Sequence, residues 1–363
     1  MGLCMKIAII GAGLAGLACA QECEKQGIIP DVFERYDMVG WIWPSVNVQL
    51  EVFTNRFGKD IMHYLRSQYG LNFKPSGDLT NIILKSPNEE AIIEGRLGYL
   101  LYRGKHPMSL ENELFRDLTT TPVHLNRPAD YKELSRKYDY VVVADGKDIV
   151  AKELGVWEDC GRVYSYGGVA QGSFVPGTAT VYFNTDYAGT GYARISSFDA
   201  SKAMVALYVI GHNYNEFDLP RLFTKFLETE GLEHLEFFYK LVPPIFSTGR
   251  VSKFQVGNVL LAGRAAGLLE RIMGEGSASS LISGVMAARA IIKGEDYDSH
   301  VLPLKEHLEN ISSFRTVIDK FTNQDFDRVV AFLGTPGIKQ AIYNSGIDFV
   351  DIAGWVLRRL SKK

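Results

Sequence analysis

Three glycines and an acid carry the clearest chemistry in this chain. Gly11, Gly13 and Gly16 form G-x-G-x-x-G, and Glu34 follows roughly twenty residues later. This spacing suits a dinucleotide. Gly11 lets the chain turn sharply, Gly13 lacks the Cβ that would hold off a pyrophosphate, and Gly16 lets a helix approach a strand. Leu14 and Ala15 open that helix, whose free N–H groups and partial positive charge favour phosphate. Glu34 can accept from ribose hydroxyls, and an acid there disfavours a 2′-phosphate. The site therefore expects NAD or the ADP half of FAD rather than NADP. Arg35 adds a cation beside it.

The flanking elements agree. Residues 6–10 are a short β-branched apolar run, as a buried parallel strand would be; residues 14–26 read as a helix; "PDVFE" reads as a second strand ending on Glu34. A tight strand-to-helix turn without a ligand is the alternative. Cys19 and Cys23, one helical turn apart, read as small core residues rather than a redox pair.

A second glycine-rich region lies near the other end of the chain. Val259 to Ala262 reads as a strand running into Gly263, Arg264 and Gly267. Gly274, Glu275 and Gly276 then lead into a long helix from Ser277, whose first turn is all small residues. Between the two regions, Tyr140 to Ala144 reads as a buried strand ending on Asp145-Gly146, and ligands gather outside such strand ends. A helix N-terminus beside the anionic edge of a reduced flavin would stabilise it. Two turns make sense together if one holds the pyrophosphate of FAD and the other its ribityl chain and ring. A nicotinamide dehydrogenase needs only the first.

The stretches "GAGLAGL…FER", "VVVADG" and "LLAGRAAG…GEGSASSLISGVMAARAI" resemble the FAD-dependent oxidoreductases of the geranylgeranyl reductase and aromatic hydroxylase-like family, and "YAGTGYARISSFDASKAMVALYVIG" resembles its substrate-domain strands. The resemblance implies an α/β fold: a Rossmann-like FAD-binding domain (glutathione reductase/p-hydroxybenzoate hydroxylase-like), an antiparallel β-sheet substrate domain and a C-terminal helical segment. It implies FAD as cofactor, NAD(P)H or a protein electron donor as the transient source of electrons, and hydride transfer through flavin N5. By analogy Arg103 and the backbone at Val123 also touch FAD. The chain departs from the family in four places, one of them Glu270-Arg271 where the family often has Pro before the flavin loop. Arg264 stands where the family has Asp after Gly; "ADGKDIV" lacks the Ser and Arg of NADPH-dependent hydroxylases; and "GWIWPSVNV" lacks the reductases' Cys-Gly. An aromatic monooxygenase and a non-catalytic nucleotide-binding relative are the alternatives to a reductase-like enzyme.

Domain limits are expected at 1–60, 96–162 and 250–296 for the FAD-binding unit, 61–95 and 163–249 for the substrate unit, and 297–363 for the helical region. The middle is rich in aromatic and β-branched residues with glycine turns, the pattern of an antiparallel sheet. Tyr187, Tyr192 and Arg194 are expected on an edge or pocket strand, with Tyr187 and Tyr192 the candidate proton donors. Aromatic density favours a large apolar or planar substrate, isoprenoid-like or aromatic, over a small acid. Residues from 218 suggest a helix with Leu222, Phe223, Phe226 and Leu227 on one face.

Charge and composition exclude other classes. With 363 residues and a net charge of -3, no basic field for nucleic acid is implied. Four cysteines form no metal or disulfide pattern, the histidines have no ligand spacing, and no run suits a membrane span. Nor does the start read as a signal peptide. A cytoplasmic protein is expected. Its last residues, with Phe349, Ile352, Ala353, Val356 and Leu360 at helical spacing and Arg358, Arg359, Lys362 and Lys363 at the end, suit either a docked helix or peripheral membrane contact.

Overall fold

The computed structural model describes residues 5–54, 60–211, 214–241, 243, 245–337, 350 and 353. Its first sheet has six strands, in the order Gln255–Val256, Val259–Leu261, Tyr140–Val143, Ile7–Ile10, Asp31–Phe33 and Val123–His124. All neighbours are parallel except the outermost pair, Gln255–Val256 and Val259–Leu261. The strands Ile7–Ile10 and Tyr140–Val143 lie at its centre, and their apolar runs are buried almost throughout. Layers on both faces of a parallel sheet demand this.

Helices Leu14–Lys25 and Ser277–Lys293 pack directly against each other. Gly284 sets their approach, because a Cβ there would stand 2.1 Å from the Ala15 carbonyl oxygen. Cys19 and Cys23 are fully buried in this core, as small apolar residues would be.

The second sheet has nine strands. Trp157–Gln171, Lys202–Gly211, Tyr192–Ser197 and Thr178–Tyr182 form its antiparallel centre. Gly77–Lys85 joins Thr178–Tyr182 in parallel, and Glu90–Arg103 and Ser45–Leu50 complete that side. Helix Leu219–Thr229 covers one face, burying Leu219, Phe223, Phe226 and Leu227. The other face is turned to a cavity.

The structure redraws the domain limits. Ser45–Leu50, residues 96–103, residues 157–162 and Arg250–Val251, expected in the nucleotide unit, pair within the antiparallel sheet. Strand pairing runs unbroken through these stretches, so no composition change marks a border. Conversely, helix Ile61–Tyr69 buries Ile61, Met62, Leu65 and Tyr69 in the core of the parallel sheet. Tyr192–Ser197 is a central strand, not an edge.

Helices Tyr297–Ser312 and Asn323–Gly334 follow. Of the C-terminal segment read as a docked or membrane-touching helix, only Val350 and Ala353 fall among the described residues. Among the described residues, no helix is long and apolar enough to cross a membrane, and no cluster of ligand side chains could hold a metal.

Candidate active site

The three early glycines separate by role. Gly11 has φ +103°, and a Cβ there would stand 2.7 Å from the Ala144 carbonyl oxygen. At Gly16 a Cβ would stand 1.9 Å from the Gly11 carbonyl oxygen. Both are fixed by backbone packing. A Cβ at Gly13 would meet nothing within 4 Å, so its missing side chain serves approach from outside. Helix Leu14–Lys25 starts without a side-chain cap, leaving its first N–H groups to the cavity. Glu34 is buried and accepts from the N–H of Ala12 at 2.8 Å and of Tyr36 at 3.0 Å. A carboxylate has about four acceptor positions, so capacity remains for ribose hydroxyls.

The opposite wall is rich in cations. Arg35 pairs with Asp145 at 2.8 Å, joining the ends of two neighbouring segments across the cleft. Arg264 donates from Nε to the Gly146 carbonyl at 3.0 Å, and its guanidinium lies 4.7 Å over the Phe246 ring. Among the described residues Arg264 has no carboxylate partner. Burial, and then the charge of Arg103, push its pKa down to about 10. Arg103 is held by Glu111 at 2.9 Å and donates to the Ser277 hydroxyl at 2.8 Å. Ser277 opens helix Ser277–Lys293, and its N–H is taken by the Glu275 carboxylate at 2.7 Å.

Glu270 shapes the loop before that helix. It is buried and accepts the N–H groups of Ile272, Met273 and Glu275 at 2.6 to 2.9 Å. Burial raises its pKa to about 7 in spite of these donors.

The two glycine regions meet. A Cβ at Gly263 would touch the Ala15 Cβ at 3.0 Å and the Ser280 hydroxyl at 3.1 Å. Gly11, Gly13, Leu14, Ala15, Glu34, Arg35, Arg103, Asp145, Gly146, Arg264, Gly274, Glu275, Gly276 and Ser277 all line one cavity of about 970 Å³. Gly16 and Gly263 stand behind its wall. The cavity continues under the antiparallel sheet, where Tyr192, Arg194 and Tyr208 face it, and Phe314, Phe321 and Phe326 bound it from the C-terminal side.

Two expectations are corrected. Tyr187 is not in the cavity. It sits on the short helix Thr185–Ala188, is buried behind the sheet with Phe226, and donates to Glu230 at 2.9 Å. Val123 lies on the edge strand beside Val32 and does not line the cavity. Tyr192 does line it, but its hydroxyl donates to the Met273 carbonyl at 2.7 Å, and burial pushes its pKa far up. Its proton is held by the loop at Met273.

Sequence reasoning missed other lining residues. Arg127, Pro128 and Ala129 flank Glu34, positioned by an Arg127 N–H to Glu34 carbonyl bond of 2.7 Å. Asn47 reaches the Ser277 hydroxyl at 3.3 Å, and Phe246 stacks under Arg264. None lies in a local motif; only the strand order brings them here.

Residues 9–69 match the NAD(P)-binding Rossmann-like domain. Flavin-containing monooxygenase 3 of Rattus norvegicus is 40% identical over 58 residues, which are 14% of this chain and 11% of that protein. The chain spans less than a third of the length of the curated relatives it matches. Solved structures match far more of it. A geranylgeranyl bacteriochlorophyll reductase-like protein from Thermoplasma acidophilum has a TM-score of 0.70 at 16% identity, covering 98% of this chain and 99% of that one. A flavin-dependent halogenase has a TM-score of 0.64 at 15% identity, covering all of this chain and 71% of that one. The parallel Rossmann-like sheet, the antiparallel sheet and the C-terminal helices are thus the fold of FAD-dependent oxidoreductases of the p-hydroxybenzoate hydroxylase-like type.

Proposed function

We propose that this protein is an FAD-dependent oxidoreductase acting on an apolar substrate, isoprenoid-like or aromatic. One observation carries the proposal: the turns at Gly11–Gly16 and Gly274–Ser277, far apart in sequence, open on one cavity. An extended molecule with a ribose at one end and a flat ring at the other fits between them. The residues present suit FAD. Gly13 leaves room for a pyrophosphate, Glu34 faces the ribose end, and Arg264 offers a cation with no ion-pair partner among the described residues. Burial, and then the nearby charge of Arg103, lower the pKa of Arg264, and a phosphate there would favour its charged form.

When bound, flavin supplies two-electron hydride chemistry, and the protein supplies orientation and electrostatics. Here Arg103, Asn47 and Glu275 fix Ser277 at the start of the late helix, so that end presents a defined field to the ring. Most of the surface under the antiparallel sheet is apolar, which excludes water and favours an apolar substrate body. Reductase-like chemistry is supported by the similarity in fold to the Thermoplasma acidophilum protein. Electrons would come from NAD(P)H or a protein donor.

The test is an absorbance spectrum of the protein after incubation with FAD and desalting, with mass analysis of what denaturation releases. One FAD per chain supports the proposal. A colourless protein that also ignores added FAD contradicts it.

A further inference from the structure

Among the described residues, two charged side chains of the antiparallel sheet line the cavity: Arg103, which is paired with Glu111, and Arg194, which has no ion-pair partner. Arg194 is 9% exposed. Across the sheet it stands opposite Val181 on one side and Ala206 on the other, followed by Leu84 and Gly167. Side chains of such a row share one face. The guanidinium therefore has an apolar wall on one flank, and on the other it lies 5.5 Å over the Tyr208 ring.

Its partners are few. Nη2 donates to the Val46 carbonyl at 3.1 Å and meets the Tyr208 hydroxyl at 3.4 Å. No carboxylate pairs with it among the described residues. The nearby Glu275 is engaged by the Ser277 N–H and by Asn47. Nε and Nη1 make no bond to the described chain, and Arg194 lines the cavity.

An apolar ligand entering here would strip water from this cation and offer nothing in return, which is unfavourable. An anionic group would replace the water, and a carboxylate matches the guanidinium fork. With Arg103 already paired to Glu111, one unpaired cation on the face suits a single carboxylate better than a diphosphate.

Resting on the reading of the cavity as a flavin enzyme's substrate site, we infer that the substrate carries one carboxylate, bound by Arg194 with Tyr208 beside it, and an apolar body lying along Val181 and Leu84. Arg194 thereby selects acids over the corresponding alcohols.

Geranate and geraniol share an apolar body and differ in the carboxylate, so they are suitable probes. Calorimetric titration of the FAD-incubated protein is expected to show geranate binding at least tenfold tighter than geraniol. Arg194→Met is expected to abolish that preference, weakening geranate tenfold or more with geraniol and FAD affinities unchanged. Arg194→Lys keeps part of the preference. Equal binding of both probes by the unaltered protein, or no binding of geranate, overturns the inference whether or not a variant folds. Equal weakening of both probes in Arg194→Met also overturns it, because Arg194 would then merely fasten Val46. The flavin reading fails separately, if FAD does not bind; the acid preference is then still measurable on the FAD-free protein.

Discussion

At the first glycine turn the chain satisfies itself. Backbone fills the space beside Gly11 and Gly16, and Glu34 takes the N–H groups of Ala12 and Tyr36. At the late turn it does not. Arg264 has a carbonyl and an aromatic face but no carboxylate, with Arg103 close enough to lower its pKa. The first turn is a rigid cradle, complete before any ligand arrives. The second holds a cation without an ion-pair partner among the described residues, which the proposed function completes with an anion. Substitutions at Gly11 and Gly16 should therefore hurt folding, whereas those at the late turn should trade folding against binding.

The largest effect is expected at Gly16. Gly16→Ala drives a Cβ into the Gly11 carbonyl, and urea unfolding should show a loss of about 3 kcal/mol or more. Gly13→Val tests the other half of that turn. Its new side chain points into open space, so stability should change by no more than about 0.5 kcal/mol. FAD affinity, followed by fluorescence titration, should nevertheless fall at least a hundredfold. If both variants unfold alike, the division of labour among these glycines is wrong.

At the late turn, Arg264→Met should weaken FAD roughly tenfold, as loss of a charge-assisted contact would, while raising the melting temperature of the FAD-free protein. Lower stability without FAD would show that Arg264 serves the fold instead. A separate effect concerns pH. Glu270 has a pKa of about 7 against an ordinary 4.5. The folded chain thus holds a proton that the unfolded chain has lost, and stability falls as pH rises through that window and levels off above it. The change is about 3 kcal/mol for this group. Buried Glu51, also raised to about 7 by burial, adds in the same direction. Glu270→Gln should flatten part of the slope in denaturation measured between those pH values.

Local signals made the nucleotide half legible. Strand, turn and helix around Gly11 are contiguous, and the observed Ile7–Ile10 and Leu14–Lys25 fall where hydrophobic period and glycine spacing place them. The late helix begins at Ser277, where glycine gives way to small residues. The substrate half was less legible. Alternation says that a strand has two faces but not which one meets the cavity. Tyr187, on a helical turn behind the sheet, and Arg194, in the middle of it, look alike in sequence. Ser45–Leu50 pairs with Glu90–Arg103 across a long separation, so no linker marks a domain border. The wall at Arg127–Ala129 depends on one backbone bond to Glu34 and has no pattern of its own.

Amide hydrogen exchange with and without saturating FAD tests most directly whether both turns hold one molecule. FAD should slow exchange at residues 11–16 and 274–280 together, whereas ADP-ribose should protect only the first. Protection by FAD confined to residues 11–16 would contradict the account, leaving a site for the adenine half alone.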